Sequence, residues 1–448
     1  MSTQQPVSFW ESDFGPYTPG PSLAEDLTLD VAIIGGGFTG LTVARELRKD
    51  APGADVGVFE ARHIGFGASG RNGGFNMTLF GLEPEVSVLR WGRERTRVAH
   101  DYTAKAVGYV RQLVEDNALD SDYQHTGMLR VAYSEAQEKR LGKTLDLLTK
   151  IGSGDRFEWL DHDALQSRVA SPRFRAGIYE PDTGILNPTK HVRALKNLAQ
   201  DAGARIFENS PVQHVRREGC KIVLTLPGGT VRCDKLVIAV NGWSGHIQGL
   251  PRIRSRQTPV WTSQIVTEPL TEAQWQAVNW AARESIEDNR QMIHYFRRTV
   301  CGRITIGGGN VARPQDAEMA RMYTTQIWQD LEAHLKWLFP SLRDVKTAYR
   351  WGGPVSVNLD MTPEIGHIGD DRILYANGCI GHGVSLTQLN GRLIADALLD
   401  RKTELTDCWI FNRKAIPWPP EPLGTGAFFA VKWGLDLVDR VQEQKLPK

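Results

Sequence analysis

The sequence predicts an α/β fold built on a Rossmann-like strand–turn–helix–strand unit, and three features near its start predict it. Residues 29–34 form a short apolar run of strand-favouring types. Gly35, Gly37 and Gly40 follow at once in the spacing GxGxxG, and Leu41, Ala44 and Leu47 then recur at helical spacing over residues 41–49. Pro52-Gly53 ends that helix, and residues 56–59 form a second strand that stops at Glu60. The unit takes about 30 residues, the length a βαβ crossover needs.

Ahead of it, residues 1–28 are rich in Pro, Gly and Ser around Trp10, Phe14 and Tyr17, and are expected as an arm laid over the surface. Residues 83–118 and 134–150 carry helical patterns, and 125–133 and 176–180 carry strand patterns. An amphipathic helix is predicted over 189–202, stopped by Gly203, with a strand over 205–208. Strands 212–217 and 221–226 flank a Glu-Gly turn, and a longer strand, 231–240, runs into Asn241-Gly242. Residues 252–308 read mainly as β with a helical insert at 271–282, and 315–338 read as helix. A strand at 372–375, a glycine-rich turn at 377–383 and a helix at 384–399 follow. The tail ends in an amphipathic segment with Phe428, Val431, Leu435 and Val438, expected to dock on its own domain.

Composition narrows the function classes. The chain has 448 residues, 41% hydrophobic and 23% charged, which is ordinary for a globular protein of two or three domains. A net charge of +1 without a Lys/Arg run argues against a nucleic-acid partner. The first residues lack a basic segment followed by an apolar one, so no secretory signal is expected, and no apolar run reaches the ~18–20 residues that span a bilayer. Five cysteines, an odd number without a CxxC pair, speak against a disulfide framework or a zinc site and for a cytoplasmic location. The histidines are scattered, and no metal site is expected.

Each motif glycine has a physical task. Gly35 permits the tight turn, Gly37 lets backbone approach a pyrophosphate, and Gly40 lets the helix pack on the strand. The helix start offers free N–H groups and a partial positive charge to phosphates. Glu60 follows Gly40 by about 20 residues, where a carboxylate accepts hydrogen bonds from a ribose diol. A dinucleotide site follows. Two further segments favour FAD over a nicotinamide cofactor. Residues 64–75, IGFGASGRNGGF, bring backbone against a large flat ligand, and 378–383, GCIGHG, open a second helix near the far end of the chain. One elongated cofactor accounts for both.

The segments DVAIIGGGFTGL, FEARHIGFGASGRNGGF, NPTKHVRAL, GARIFENSPV, LVIAVNGW, RWGGPVSVNLDMTPEIGHIG and GHGVSLTQLNGRLIADALL span residues 30 to about 400. In them the chain resembles the FAD-dependent D-amino-acid-oxidase-type (DAO) superfamily, closest to its γ-glutamylputrescine oxidase-like and glycine/sarcosine oxidase branch. The resemblance implies a discontinuous FAD-binding domain (29–90, 185–250 and 345–400) with an inserted substrate domain on an antiparallel sheet (91–184 and 251–344). The arm (1–28) and the tail (401–448) complete the chain. It implies that Gly35, Gly37, Phe38, Thr39, Gly40 and Glu60 hold the ADP half, with Ala61 and Arg62 beside ribose or adenine. Gly67, Ala68, Ser69, Arg71, Asn72, Gly73 and Gly74 would lie along the flavin and pyrophosphate, and Val212 against adenine. Ala239, Asn241 and Trp243 would lie near the cofactor, and Gly352, Gly381, His382, Gly383 and Val384 at the isoalloxazine. Residues 355–362 lack the cysteine that tethers FAD in some relatives, and His63 does not match the tethering histidine of others, so FAD is expected to be non-covalent.

The implied chemistry is oxidation of the C–N bond of a small amine or amino-acid derivative. Hydride goes to flavin N5, the imine hydrolyses and O₂ becomes H₂O₂. The substrate could be γ-glutamylputrescine-like. A dehydrogenase with another acceptor, or a non-catalytic FAD-binding subunit, are the alternatives. An aromatic-hydroxylase type fits poorly, because its Gly-Asp pair would replace NGCIGHG, whereas Gly369-Asp370 lies upstream. Candidates to face the substrate are residues 292–298, Arg350, Trp351, Phe75 and Trp261. Tyr295 and Phe296 could wall a cation, Arg297 could clamp a carboxylate, and His294 could act as base. Alternatively, Tyr295 and Phe296 alternate across an ordinary strand, Arg297 is solvated and His294 is structural. His382 is expected to favour the reduced flavin anion electrostatically. The catalytic set is therefore Arg297, Tyr295, His382 and Trp351.

Overall fold

The computed structural model describes residues 8–314 and 325–443 and contains two large sheets. The first has the strand order Glu364–His367, Ile373–Asn377, Gly229–Ile238, Leu27–Ile34, Val56–Phe59, Arg205–Phe207. Leu27–Ile34 pairs in parallel with both its neighbours. Its apolar run reflects that position, because a central parallel strand is buried on both faces. The hairpin of His214–Glu218 and Lys221–Leu226 adds to Gly229–Ile238. Helices Phe38–Asp50, Pro188–Asp201 and Gly383–Leu398 pack over this sheet in one core that includes Leu41, Leu47, Val192 and Leu393.

The second sheet runs Thr347–Val357, Thr258–Thr267, Ile304–Gly308, His294–Arg298, Ser285–Asp288, Met128–Ala132, Ala176–Glu180, Glu158–Leu160. Its pairings are antiparallel except that between Ser285–Asp288 and Met128–Ala132. Leu129, Ile286, Phe296 and Ile306 point from one face into a core with Phe174, Trp280 and Phe339. Side chains alternate along a strand, so Tyr295 and Met128 lie on the other face, where they meet Phe75 and Met77.

The structure moves two of the expected boundaries. The helix Pro84–Asp116, kinked at Gly92, packs Ala99, Tyr102, Ala106 and Val110 into the core of the first sheet, although most of it was assigned to the inserted domain. The strand Thr347–Val357 pairs with Thr258–Thr267 and so joins the second sheet, not the FAD-binding segment 345–400. Strand membership depends on the partner, which a strand's own pattern does not name.

The N-terminal arm is corrected at its start, where a short helix, Phe9–Phe14, buries Phe9 and Trp10 to 3% and 2% exposure as a wedge, while residues 15–28 are mostly exposed or half-buried. Further on, the buried carboxylate of Glu208 accepts from the Tyr17 hydroxyl, the Gly20 and Ile64 N–H groups and Lys196 Nζ at 2.6–2.9 Å. Burial alone would raise its pKa, but Lys196 and the N–H donors hold it below the usual value. The helix His162–Arg168, absent from the sequence reading, starts at Asp161, which accepts from the Ala164 N–H. Of the expected helix 315–338, residues 325–338 form Thr325–Leu338 and 315–324 lie outside the described residues.

The C-terminal helix Leu423–Glu443 docks mainly through its polar side. Asp439 accepts from the Gln291 and Met292 N–H groups. Phe428 is buried as expected, but Val431 and Val438 are exposed, beside Phe429, Trp433, Leu437 and Val441. Among the described residues, no helix is long and apolar enough to cross a membrane.

Candidate cofactor and active site

A cavity of about 760 Å³ opens where Leu27–Ile34 meets the helix Phe38–Asp50. Its size suits a large cofactor. Gly35 sits at φ +104°, and a Cβ there would lie 2.6 Å from the Ala239 carbonyl oxygen. Only glycine turns the chain this tightly against the neighbouring strand. Gly37 is the N-cap of Phe38–Asp50 and brings no side chain of its own to the helix start. The Phe38 N–H instead donates to Ser69 Oγ at 3.0 Å, across the mouth of the cradle. A Cβ on Gly37 would come within 2.8 Å of the same oxygen, so a side chain at this position fills the space a phosphate group needs. Gly40 has the packing role expected of it, since a Cβ there would meet the Gly35 carbonyl at 2.0 Å.

Glu60 accepts from the Gly36 and Arg62 N–H groups at 2.9 and 3.0 Å, and burial raises its pKa. It lines the cavity with Ala61, Arg62 and Val212. Gly67, Ala68, Ser69, Asn72, Ala239, Asn241, Trp243, Gly381, Gly383 and Val384 line it too, as do Gly35, Gly37, Phe38 and Thr39. The helix Gly383–Leu398 also begins without a side-chain cap, at His382. Two helix starts whose N-cap residues make no side-chain cap, a glycine cradle and a half-buried carboxylate fit FAD.

Other expected contacts are placed differently. Arg71 is buried, donating from Nε to the Phe66 carbonyl at 2.7 Å and from Nη1 to the Gly352 carbonyl at 3.1 Å. Its own carbonyl accepts from Gln264 and Trp351, so Arg71 clasps the glycine-rich loop to the second sheet instead of lining the cavity. Burial lowers its pKa to about 10. Gly352 packs against Trp261, and a Cβ there would lie 2.3 Å from Trp261 Nε1. Pro354 and Val355, further along the same strand, reach the cavity instead. Gly74, at φ +74°, packs on the Leu186 carbonyl, and Gly73 packs on Phe75 and Tyr295.

The expected catalytic set separates. Trp351 is 1% exposed, against Phe9 and Trp10, and does not reach the cavity. Arg297 is not solvated: it donates to the Gly73 and Leu186 carbonyls at 2.6 and 2.7 Å and lies over the Trp10 ring at 4.6 Å. Burial lowers its pKa to about 9. Phe296 points into the core of the second sheet, opposite Tyr295, so the two form no common wall. Tyr295 meets Phe75 edge-on at 5.5 Å beside Gly73, whose chain neighbour Asn72 lines the cavity; Tyr295 itself does not line it. Arg350 is exposed and paired with Glu332. His382 is buried, its Nδ1 without a hydrogen-bond partner among the described residues, and burial lowers its pKa to about 3. It is therefore neutral near pH 7 and supplies no cation to a reduced flavin, contrary to the expectation.

His294 hydrogen-bonds Asp288 at 2.8 Å and stacks on His334 at 3.8 Å. These three residues bring metal-ligand atoms together, a grouping the sequence spacing did not reveal. The Arg290 guanidinium lies 3.4 Å from His294 Nδ1 and opposes a second cation, so we read the group as a hydrogen-bonded network. Sequence reasoning missed Cys379, Thr387 and Asn390 in the cavity wall. Gly383, Thr387 and Asn390 stand at i, i+4 and i+7 of one helix, and that spacing could have exposed the last two.

Fold and cradle together define an FAD-dependent oxidoreductase. The chain belongs to the DAO family (FAD dependent oxidoreductase), whose model matches residues 30–397. It is 30% identical over 397 residues to the gamma-glutamylputrescine oxidoreductase of Escherichia coli K12, covering 88% of this chain and 89% of that one. It is 25% identical over 398 residues to a glycine oxidase of Bacillus licheniformis, covering 86% and 97%. Among solved structures, glycine oxidase from Geobacillus kaustophilus superposes with TM-score 0.69 at 22% identity, covering 84% of this chain and 96% of that one. L-amino acid deaminase from Proteus myxofaciens superposes with TM-score 0.72 at 17% identity, covering 88% and 96%; both share the fold.

Glu60→Ala is expected to weaken FAD binding about 10- to 100-fold, because a hydrogen bond to a charged group contributes about 1.5–3 kcal/mol. Fluorescence titration of the apoprotein with FAD measures it.

Proposed function

We propose that the protein oxidises the C–N bond of a small amine or amino-acid derivative, γ-glutamylputrescine-like in class, with O₂ as acceptor and H₂O₂ as product. The observation that carries this reading is the face of the second sheet bearing Tyr295 and Met128, which closes with Phe75 on the segment that lines the cavity at Asn72. Identity to an amine-oxidising relative over 88% of the chain supports it. When bound, FAD supplies the acceptor for two electrons.

The protein's residues do the rest. The cradle around Gly37 and the start of Phe38–Asp50 would hold the pyrophosphate, and Glu60 would hold the ribose. The start of Gly383–Leu398, without a side-chain cap, would offer partial positive charge to the flavin as it is reduced. Tyr295 and Phe75, packed edge-on, would form the aromatic surface beside a cationic amine. Burial raises the Tyr295 pKa, so its hydroxyl stays protonated. FAD is held without a covalent bond: Cys379 is in the cavity wall, but burial raises its pKa, and the thiol is not the nucleophile a tether requires.

The test is anaerobic mixing of the yellow protein with a panel of amines and amino acids. Bleaching of the flavin by an amine is the expected result; colour unchanged by every member of the panel contradicts the reading. Peroxide formation with O₂ uptake identifies the oxidase. Turnover with dyes alone identifies a dehydrogenase, the reading favoured by the exposed apolar face of Leu423–Glu443.

A further inference from the structure

We propose that Glu83, Glu180 and Glu287, gathered round Arg130 on the second sheet, form a subsite for an alkylammonium group of the substrate. This rests on the amine-oxidising reading above and names the class of amine.

The register builds the cluster. Arg130 pairs with Glu287, Glu287 with Tyr295, and Met128 with Glu180. Residues directly opposite share a face, so all of these lie on the face that meets Phe75, away from the core around Phe296. Glu180 and Glu287 are 3% and 2% exposed. Arg130 stands 3.5 Å from Glu83 and 3.9 Å from Glu287, and Glu180 lies within electrostatic reach of both Arg130 and Arg156. His100 borders the same space, but burial lowers its pKa to about 4, and it adds no charge near neutral pH.

Two observations point to a ligand. Glu287 Oε2 is buried, faces the Arg130 guanidinium only at 3.9 Å and accepts no hydrogen bond among the described residues. Folded proteins rarely leave a buried acceptor so. A cavity of about 40 Å³ lies against Glu83, Arg130 and Glu180, with Leu79, Phe80 and Met128 as an apolar wall. That exceeds the roughly 10–15 Å³ a cavity needs to admit one water, hence one ammonium group. Apolar walls leading to carboxylates suit an alkyl chain that ends in a cation.

The cluster adjoins the cofactor site. Thr78 donates to Glu180 at 2.7 Å, and the neighbouring Met77 carbonyl accepts from Ser385 at 2.7 Å. Gly81 packs on Ile380. One chain segment thus touches both the cluster and the turn that carries Cys379 and Gly381 to the large cavity. Arg297, which could have clamped a carboxylate, is bound to backbone carbonyls instead.

Burial raises the pKa of Glu180 and of Glu287 to about 7. Around them stand Arg130, Arg156, Glu83, Glu85, Asp182 and Asp288. A raised carboxylate is protonated below that value, so attraction for a cation is present above about pH 7 and lost below it.

Anaerobic flavin-bleaching titrations with n-butylamine, N-acetyl-1,4-diaminobutane and sarcosine test this. In the wild type, an alkylammonium is expected to bind more tightly than zwitterionic sarcosine, with Kd rising as pH falls from 8 to 6. Glu287→Gln and Glu180→Gln should each raise the alkylammonium Kd at least tenfold and flatten that pH dependence, with FAD content unchanged. Alkylammonium binding that matches wild type in both variants overturns the subsite. Bleaching by sarcosine but by neither alkylamine also overturns it and leaves the oxidoreductase reading standing. Bleaching by no amine overturns the oxidoreductase reading itself. Should one variant lose FAD or fail to fold, the other variant and the wild-type pH profile decide.

Discussion

Gly37→Val is expected to yield a folded protein that is colourless and stays so when FAD is added. The backbone at Gly37 is extended (φ −87°, ψ −172°), a conformation valine adopts without strain. The first atom its side chain would meet is the movable Ser69 Oγ, not backbone. The substitution costs the fold little beyond moving that hydroxyl off the Phe38 N–H, and the added methyl groups occupy the phosphate cradle. Gly40→Val is the contrast. A Cβ there would lie 2.0 Å from the Gly35 carbonyl oxygen, so the helix must move off its strand. That variant is expected to lose both FAD and stability. Flavin absorbance and thermal unfolding of the two variants separate cofactor exclusion from fold damage. Normal flavin content in Gly37→Val contradicts the assignment of the cradle.

Trp10→Ala is expected to destabilise the protein by about 3–5 kcal/mol, the range for removing a large buried aromatic side chain. Trp10 is 2% exposed, meets Trp351 edge-on at 6.3 Å and lies under the Arg297 guanidinium. Its Nε1 donates to the Asn72 carbonyl at 2.8 Å. The loss is therefore felt in the turn that lines the cofactor cavity, and weaker FAD retention should accompany the lower stability. Denaturant unfolding of apoprotein and holoprotein measures both. Trp10→Phe retains most of the apolar contact and should recover most of the stability but not the bond to Asn72.

The dinucleotide half of the site was legible because its requirements are local. A tight turn, a close approach and a helix start each demand glycine at a fixed spacing, and Glu60 ends the very next strand. The substrate side was not legible in the same way. Arg297 and Tyr295 are two residues apart and share a face, yet one is fastened to the Gly73 and Leu186 carbonyls and the other borders the cavity segment. Which it would be depends on loops more than a hundred residues away in the chain. His382 shows the same limit, since only its enclosure makes it neutral.

By itself the sequence determined the βαβ unit, the glycine cradle, the second glycine-rich helix start and the choice of FAD, because short-range geometry sets all four. The tertiary structure alone decided that Thr347–Val357 joins the second sheet, that the N-terminal helix is a buried wedge, and that Glu83, Glu180 and Glu287 converge on Arg130. Strand pairing and burial join residues distant in the chain, and the free energy of a charge depends on what surrounds it.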